Sequence, residues 1–210
     1  MDKTKIAVDV FNKLAELYQS KFMDVSLYHD SFTVFCNAIK KSNAEVLELA
    51  CGPGNITKYL ISQRPDYKIV ATDLAPNMVE LAKINNPTAE CVLMDSKNIG
   101  SLNQNYDALM CGFLLPYLSK EEAIQLISDA TKILTKDGVI YISTMEDDYS
   151  TSGFRKGSTG DEIYMHYHQS DYLIAALKNN GFELIEEQRK VYPANDGSDT
   201  VDLILIARKT

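Results

Sequence analysis

The chain has 210 residues, of which 45% are hydrophobic and 24% charged, a composition typical of one soluble globular domain spanning residues 1–210. A formal net charge of −8 argues against nucleic acid as a partner, because phosphate-backbone binders usually carry a basic surface. No apolar run is long enough to span a membrane, and the first residues lack the apolar core of a signal peptide.

The four cysteines, Cys36, Cys51, Cys91 and Cys111, form no Cys-x-x-Cys pair and have apolar neighbours. This pattern indicates small buried side chains in a reducing compartment rather than disulfides or a zinc site. We therefore expect a cytoplasmic protein with no metal centre.

Residues 1–41 are predicted to form two helices, at 6–18 and 30–40, because apolar residues recur there at helical spacing. Aromatic residues lie at and between these helices: Tyr18, Phe22 and Tyr28. They either pack the helices onto the core or form a lid over a pocket.

From residue 45 onward, strand and helix patterns alternate. Strands are predicted at 45–50, 68–72, 90–94, 108–111, 139–143, 183–191 and 200–207, and helices at 55–63 and 76–84, after Ser119 and after Ser170. Ser119 and Glu122 fit a capping box, and Asp137-Gly138 is expected to turn the chain into the fifth strand. The alternation predicts an α/β fold with a doubly wound, mostly parallel sheet and helices on both faces.

Two connections differ from the rest of this pattern. The turn predicted at residues 193–198 makes the last two strands a hairpin, so one strand of the sheet is antiparallel. Residues 145–169 are polar and glycine-containing with little periodicity, and long connections of this kind are often substrate loops or lids.

A small-residue turn follows the first predicted strand, at Ala50, Gly52 and Gly54, with Glu48 just before it. Such a turn allows a ligand to lie against bare backbone at the mouth of a parallel sheet, although glycines can also serve only to make the turn tight. Thr57 occupies the place of the third glycine in a dinucleotide-binding turn, which weakens an NAD or FAD interpretation.

Acidic residues also end the second and third predicted strands. Asp73 can accept hydrogen bonds from both ribose hydroxyls of an adenosine-type ligand, or can cap the following helix. Asp95 can accept from an adenine amine while Met94 packs on the ring, or can be a solvated loop residue.

Together these motifs resemble the class I S-adenosylmethionine-dependent methyltransferases, over about residues 40–210. Residues 48–54 are similar to their first motif, with Ala50 in place of the usual glycine. Residues 73–78 resemble the second motif, Asp95-Ser96 the adenine-facing acid with its neighbour, and residues 106–118 the fourth-strand motif. The resemblance implies a seven-stranded sheet whose last strand is antiparallel.

The resemblance also implies the cofactor and its contacts. Glu48 would support the ammonium group, Asp73 would hold the ribose, and Asp95 would hold the adenine amine. Tyr18 would close over the ligand. The full set of implied cofactor-binding residues is Tyr18, Glu48, Ala50, Cys51, Gly52, Gly54, Asp73, Leu74, Met78, Met94, Asp95, Ser96, Cys111, Gly112 and Phe113.

The methyl-acceptor side is expected around Tyr117 and the 145–169 segment. The candidate substrate-binding residues are Tyr117, Glu146, Tyr164, His166 and His168, with His166 and Tyr117 also candidate catalytic residues. The two histidines could act in catalysis, bind a metal as a pair, or only pack the loop. Methyl transfer from a sulfonium needs no acid for the leaving group, so neither a triad nor a metal is required.

Three functions remain open at this point. The first is methyl transfer from S-adenosylmethionine to a small-molecule acceptor. The alternatives are an NAD(P)-dependent oxidoreductase, against which Thr57 and the lack of a Tyr-x-x-x-Lys pair argue, and a non-catalytic S-adenosylmethionine-binding protein. The acceptor, the atom methylated and the oligomeric state are not specified by these motifs.

Overall fold

Nine strands are present in the computed structural model, which describes residues 2–193 and 199–210. They are β1 Glu45–Leu49, β2 Lys68–Asp73, β3 Glu90–Leu93, β4 Tyr106–Cys111, β5 Leu134–Glu146, β6 Gly153–Lys156, β7 Glu162–Met165, β8 Phe182–Tyr192 and β9 Thr200–Lys209. Seven of them form one sheet in the order β3-β2-β1-β4-β5-β9-β8, and β6 and β7 pair separately. β9 runs antiparallel to the other six strands of the large sheet, which confirms the predicted fold class.

The described helices cover both faces of this sheet. They are α1 Lys3–Lys13, α2 Ala15–Phe22, α3 His29–Ala38, α4 Asn55–Gln63, α5 Pro76–Asn85, α6 Lys120–Ile133 and α7 Ser170–Asn179. Consecutive residues of β1 serve opposite faces, as the alternation of a strand requires: Val46 packs with α3 and α4, and Leu47 packs with α6 and α7. No helix within residues 2–193 and 199–210 is both long and apolar enough to cross a membrane.

The order of the strands fixes where a ligand can lie. The chain proceeds outward from β1 to β2 and β3, then returns to place β4 on the other side of β1. The carboxyl ends of β1 and β4 therefore flank the point where the strand order reverses, which is the usual ligand crevice of such sheets.

The N-terminal part differs from the single helix predicted at residues 6–18. Leu14 leaves helical geometry, with φ −104° and ψ 16°, and separates α1 from α2. No proline or glycine marks this position, so sequence periodicity continued across it. The break allows the two helices to pack along different parts of the same surface.

The segment at residues 145–169 is more regular than predicted. β5 extends to Glu146, and β6 and β7 form a two-stranded hairpin with partners such as Phe154 and Tyr164. The hairpin lies outside the large sheet and its strands are exposed or half-buried, so no apolar period of two marks them in the sequence.

Details at three helix and strand ends also bear on the predictions. The capping box of α6 is confirmed, since Ser119 and Glu122 exchange side-chain and backbone hydrogen bonds. α7 begins at Ser170 itself and not after it, and the N-cap position, Gln169, makes no side-chain cap bond. Asp137 lies within β5, not before it, at a positive φ of 64° where the pairing with β4 shifts register. Of the predicted turn, residues 194–198 lie outside the described residues.

Candidate active site

The turn from β1 to α4 places unusual backbone at the centre of the crevice. Ala50, Gly52 and Gly54 have φ values of 51°, 55° and 80°, the left-handed region that favours glycine. A Cβ atom on Gly54 would lie 2.2 Å from the Asn86 side-chain nitrogen, which donates a hydrogen bond to the Gly54 carbonyl. The turn therefore requires glycine at this position, and it presents backbone instead of side chains to the cavity above.

Glu48 lies beneath this turn, buried to 1% exposure. Its carboxylate accepts a hydrogen bond from the Thr57 hydroxyl at 2.6 Å. Burial raises the pKa of Glu48 to about 8, although the Thr57 hydrogen bonds oppose the shift. Thr57, which occupies the place of the third glycine in a dinucleotide-binding turn, is therefore the hydrogen-bond partner of Glu48. This role was not predicted from the sequence.

Asp73, at the end of β2, connects the glycine turn to the start of α5. Its two carboxylate oxygens accept the Gly52 N–H at 2.9 Å and the Ala75 N–H at 2.8 Å. Burial raises the pKa of Asp73, and these backbone donors oppose that shift. Each carboxylate oxygen has about two acceptor directions, so one on each remains for a ligand. Asp73 is not the N-cap of α5, which is Ala75.

Asp95 follows β3 and faces the same cavity. One carboxylate oxygen accepts the Lys97 N–H at 2.9 Å and caps a short 3-10 turn. The other oxygen accepts no hydrogen bond from the residues that the structure describes. Met94 and Ser96 line the cavity on either side of it. The arrangement offers an acceptor beside an apolar wall, as an adenine ring with its exocyclic amine requires.

These groups line one cavity of about 850 Å³, counting the part open to solvent. The structure brings to it these predicted residues: Tyr18, Ala50, Gly52, Asp73, Leu74, Met78, Met94, Asp95, Ser96, Gly112, Phe113 and Tyr117. Glu48, Cys51, Gly54 and Cys111 do not reach its wall. Burial raises the pKa of Cys111 to about 12, so this thiol is a packing group at the end of β4.

Sequence analysis missed the contribution of α1 to this cavity. Thr4, Ala7, Val8 and Phe11 form part of the wall, together with Ala75, Lys97, Leu114 and Leu118. The only sequence signal was the apolar stripe of the first helix, which is equally typical of a helix packed on the core.

An aromatic group closes one side of the cavity. The Phe11 ring packs edge-on against Tyr18 and against Tyr117, with centroid distances of 5.8 and 5.1 Å. Tyr18 also lies over Gly52, where an added Cβ would be 3.7 Å from its ring. Burial and the nearby Asp73 carboxylate raise the pKa of Tyr18 to about 12, and burial also raises the pKa of Tyr117. Both hydroxyls are therefore neutral at physiological pH.

A second cavity, of about 1170 Å³ including its open part, begins at the other side of these three rings. Phe11, Tyr18 and Tyr117 line both cavities. The rest of its wall comes from α1, α2, the end of β5 and the hairpin β6–β7. The two cavities therefore adjoin at these three side chains.

Four of the predicted acceptor-side residues lie behind this second cavity. Glu146 accepts two hydrogen bonds from Arg189, at 2.5 and 2.8 Å. The His168 ring contacts the Leu115 carbonyl at 2.8 Å, and its burial lowers its pKa to about 4. His166 and Tyr164 have rings 4.7 Å apart, and neither lines a cavity.

The residues of the first cavity fit S-adenosylmethionine. Bare backbone over Gly52, two carboxylates with unused acceptor directions and an apolar wall suit a ligand with a ribose, an adenine ring and a sulfonium-linked amino-acid chain. Within residues 2–193 and 199–210, no three His, Cys, Asp or Glu side chains converge as a metal site would require.

Comparison with known proteins finds a family model that matches part of the chain and a set of structural neighbours. Residues 46–138 match the family model described as a methyltransferase domain. Over 106 residues, the chain is 31% identical to malonyl-[acyl-carrier protein] O-methyltransferase of Acetivibrio thermocellus, covering 50% of this chain and 36% of that enzyme. The chain spans about a third of the length of the first curated relatives it matches.

Two solved structures match nearly the whole chain. Magnesium protoporphyrin IX methyltransferase from Synechocystis PCC 6803 with bound S-adenosylmethionine has a TM-score of 0.72 and 19% identity, covering 100% of this chain and 98% of that one. The N-methyltransferase NodS from Bradyrhizobium japonicum WM9, in complex with S-adenosylhomocysteine, has a TM-score of 0.69 and 14% identity, covering 99% of each chain. At these identities the likeness is one of fold.

Proposed function

We propose that this chain, which carries a methyltransferase domain and the fold of the class I S-adenosylmethionine-dependent methyltransferases, transfers a methyl group from S-adenosylmethionine to a small-molecule acceptor. The observation that carries the proposal is the pair of adjoining cavities at the carboxyl ends of β1 and β4. One side presents carboxylates and bare backbone, and the other presents an apolar cavity.

Asp73 and Asp95 would hold the cofactor through its ribose and its adenine amine. The unused acceptor directions of Asp73 and the oxygen of Asp95 that has no protein donor support these roles. The backbone at Ala50 and Gly52 would contact the methionine part, with Glu48 beneath the turn as support for its ammonium group. When bound, S-adenosylmethionine supplies an electrophilic methyl group on a sulfonium sulfur.

The chain's own contribution to transfer is alignment and exclusion of water. The rings of Phe11, Tyr18 and Tyr117 lie between the two cavities, so they would direct the acceptor atom and shield the reaction from solvent. The leaving group departs neutral and needs no acid. A base is needed only for acceptors that must lose a proton.

Tyr117 and His166 are our candidates on the acceptor side, in different roles. Tyr117 would contact the acceptor through its neutral hydroxyl, which can form a hydrogen bond but cannot serve as a base at neutral pH. The backbone N–H of His166 donates to the Pro116 carbonyl at 2.8 Å, and its ring lies 3.1 Å from the Tyr149 hydroxyl. We assign His166 to positioning of the Tyr117 segment, supported from behind by Tyr164, Glu146 and His168.

The same proposal treats residues 1–210 as one domain, with residues 1–41 as an N-terminal helical lid and residues 145–169 as the substrate side. Both segments line the second cavity. It also places the chain in the cytoplasm and excludes nucleic acid as a partner. Four free cysteines and a net charge of −8 support these two points.

The first test is calorimetric titration with S-adenosylhomocysteine, with NADH in parallel. We expect micromolar binding of S-adenosylhomocysteine alone, followed by transfer of labelled methyl to an acceptor found by screening. Binding of NADH alone would establish the oxidoreductase alternative instead, for which neither the matched family nor the relatives named above give support. Cofactor binding without methylation of any small molecule would favour the non-catalytic alternative.

A further inference from the structure

The second cavity has a chemistry of its own, which the cofactor site does not explain. Its inner part is apolar, with side chains from α1, α2, the end of β5 and β7. The half-buried apolar residues of this wall are Val10, Phe11, Leu14, Met145, Ile163 and Met165, and the more exposed Leu17 and Phe22 extend it toward solvent. A wall of this kind binds an apolar molecular body and offers little to a sugar or a small polar metabolite.

Its outer part carries positive charge in a chain that is acidic as a whole. Lys21 on α2 and Arg155 and Lys156 on the hairpin line this part of the cavity. The acidic residue of the lining, Asp161, is already paired with Lys13 at 2.8 Å. The outer cavity therefore has a net positive charge.

The three cations have no carboxylate partners within residues 2–193 and 199–210. Lys21 contacts the Ser158 hydroxyl at 3.2 Å, and Arg155 donates to the carbonyls of Thr151 and Phe154. Glu162 stands opposite Lys156 across the hairpin, but the two side chains form no ion pair at 4.0 Å or less. Elsewhere in the described chain, many lysines pair with an acid, as Lys5, Lys41, Lys68 and Lys83 do.

These cations lie away from the methyl donor. Phe11, Tyr18 and Tyr117 are shared with the cofactor cavity, whereas Lys21, residues 155–159 and Asp161 line only the second cavity. A molecule that fills the second cavity therefore contacts both the three shared rings and the cations.

We infer that the acceptor is an amphipathic anion: an apolar body fills the inner cavity, and a carboxylate or other anionic group is held by Lys21, Lys156 and Arg155 at the outer end. The inference rests on the proposed function for the identity of the methyl donor. The anionic group of the acceptor serves recognition only. The methyl group is transferred to another atom of the acceptor, which lies near Tyr117.

The test compares three probes with the same ten-carbon chain: decanoate, decanol and decylammonium. Each is titrated into protein saturated with S-adenosylhomocysteine, at low salt and at concentrations below micelle formation. We expect decanoate to bind at least tenfold more tightly than either of the other two. Equal binding of decanol, or tighter binding of decylammonium, overturns the inference.

Variants locate the anion. Lys21→Gln combined with Lys156→Gln should weaken decanoate at least fivefold and leave decanol unchanged. Arg155 is left intact in this pair because its two bonds to backbone carbonyls hold the hairpin. The matched control is Lys58→Gln combined with Lys178→Gln, two exposed lysines on α4 and α7 that do not line this cavity. An equal loss in both pairs would show a general charge effect and sink the assignment.

Two further readouts separate this inference from the proposed function. Failure of the wild-type protein to bind S-adenosylhomocysteine contradicts the proposed function. Normal binding of S-adenosylhomocysteine without any preference for decanoate contradicts only the inference. Incubation of decanoate with labelled S-adenosylmethionine should give no methyl ester, and formation of that ester would refute the orientation with the anion at the outer end.

Discussion

Asp73 combines a structural and a binding role in one carboxylate. It ties the glycine turn to the start of α5 through the N–H groups of Gly52 and Ala75. Hydrogen bonds to charged groups are about twice as strong as neutral ones, and burial increases the cost of leaving one unmade. The geometry of the turn and the affinity for the ribose therefore both depend on this side chain.

The variant Asp73→Asn should lower affinity for S-adenosylhomocysteine by roughly 10- to 100-fold, the range expected for loss of a charge-assisted hydrogen bond worth about 1.5–3 kcal/mol. Calorimetry on the folded variant measures this. Methylthioadenosine, which keeps the ribose but lacks the amino-acid part, should lose affinity by the same factor.

A matched control for this variant is Glu80→Gln on α5, which makes the same change of charge at an exposed surface pair with Lys83. It should leave both affinities unchanged. If Asp73→Asn binds both ligands as wild type does and unfolds at a similar temperature, Asp73 does not bind the ribose.

At the scale of elements, sequence patterns predicted the buried strands well and the peripheral ones poorly. β1 and β4 are buried almost throughout, and most of their residues are apolar. β6 and β7 have neither a face packed on the core nor an alternation of apolar residues. The sequence therefore predicted only a polar connection there, without strands. The division of the first helix at Leu14 also left no sequence signal, because it depends on what α1 and α2 pack against.

Several hydrogen bonds attach α1 and α2 to the cofactor side, among them Asn85 with Gln19 and those of Asn12 with Asn77. Asn12 on α1 accepts the Asn77 N–H through its side chain at 2.8 Å, and its carbonyl accepts the Asn77 side-chain N–H at 2.8 Å. This N–H belongs to the first turn of α5, where the N-cap residue Ala75 offers no side-chain bond. Asn12 thus caps α5 from a different helix.

The variant Asn12→Ala should loosen α1 and α2 from α5, at a cost of about 1 kcal/mol, typical of a lost cap. We expect faster amide hydrogen exchange over residues 3–22 and a several-fold lower affinity for S-adenosylhomocysteine, because α1 forms part of the cavity wall. Hydrogen-exchange mass spectrometry with and without ligand measures the first effect.

Exposed Asn37 on α3 provides the matched control, since Asn37→Ala removes the same group from a helix that does not line either cavity. Its exchange rates over residues 3–22 should equal those of wild type. Identical exchange in Asn12→Ala and wild type would show that the lid is held by other contacts.

At the scale of the whole molecule, the cofactor half of the site was predictable and the acceptor half was not. The carboxylates Asp73 and Asp95 follow strands that are neighbours in the sheet, so a single local motif at each strand end gives their position. The second cavity forms where α1 and α2 meet the hairpin, through contacts such as Lys13 with Asp161, which are 148 residues apart. A local sequence pattern cannot predict contacts between segments so far apart in the chain.

A buried acid at the centre of the fold also affects the pH dependence of stability. Glu48 has a pKa of about 8 in the folded state, against an ordinary value of 4.5, because burial disfavours its charged form. Between these two pH values the folded state holds a proton that the unfolded state has lost. Stability from this group is therefore fully present below about pH 4.5 and is lost as the pH rises toward 8.

Glu48→Gln should remove this loss. The variant keeps an acceptor for the Thr57 hydroxyl but has no proton to lose. Relative to wild type, its free energy of unfolding should rise with pH between about 4.5 and 8, by at most about 1.4 kcal/mol per pH unit. His168, whose pKa burial lowers to about 4, makes stability fall as the pH drops below about 6.5 in both proteins, so it cancels in the difference. Urea unfolding at a series of pH values measures this difference, and parallel curves for the two proteins would show that Glu48 titrates normally in the folded chain.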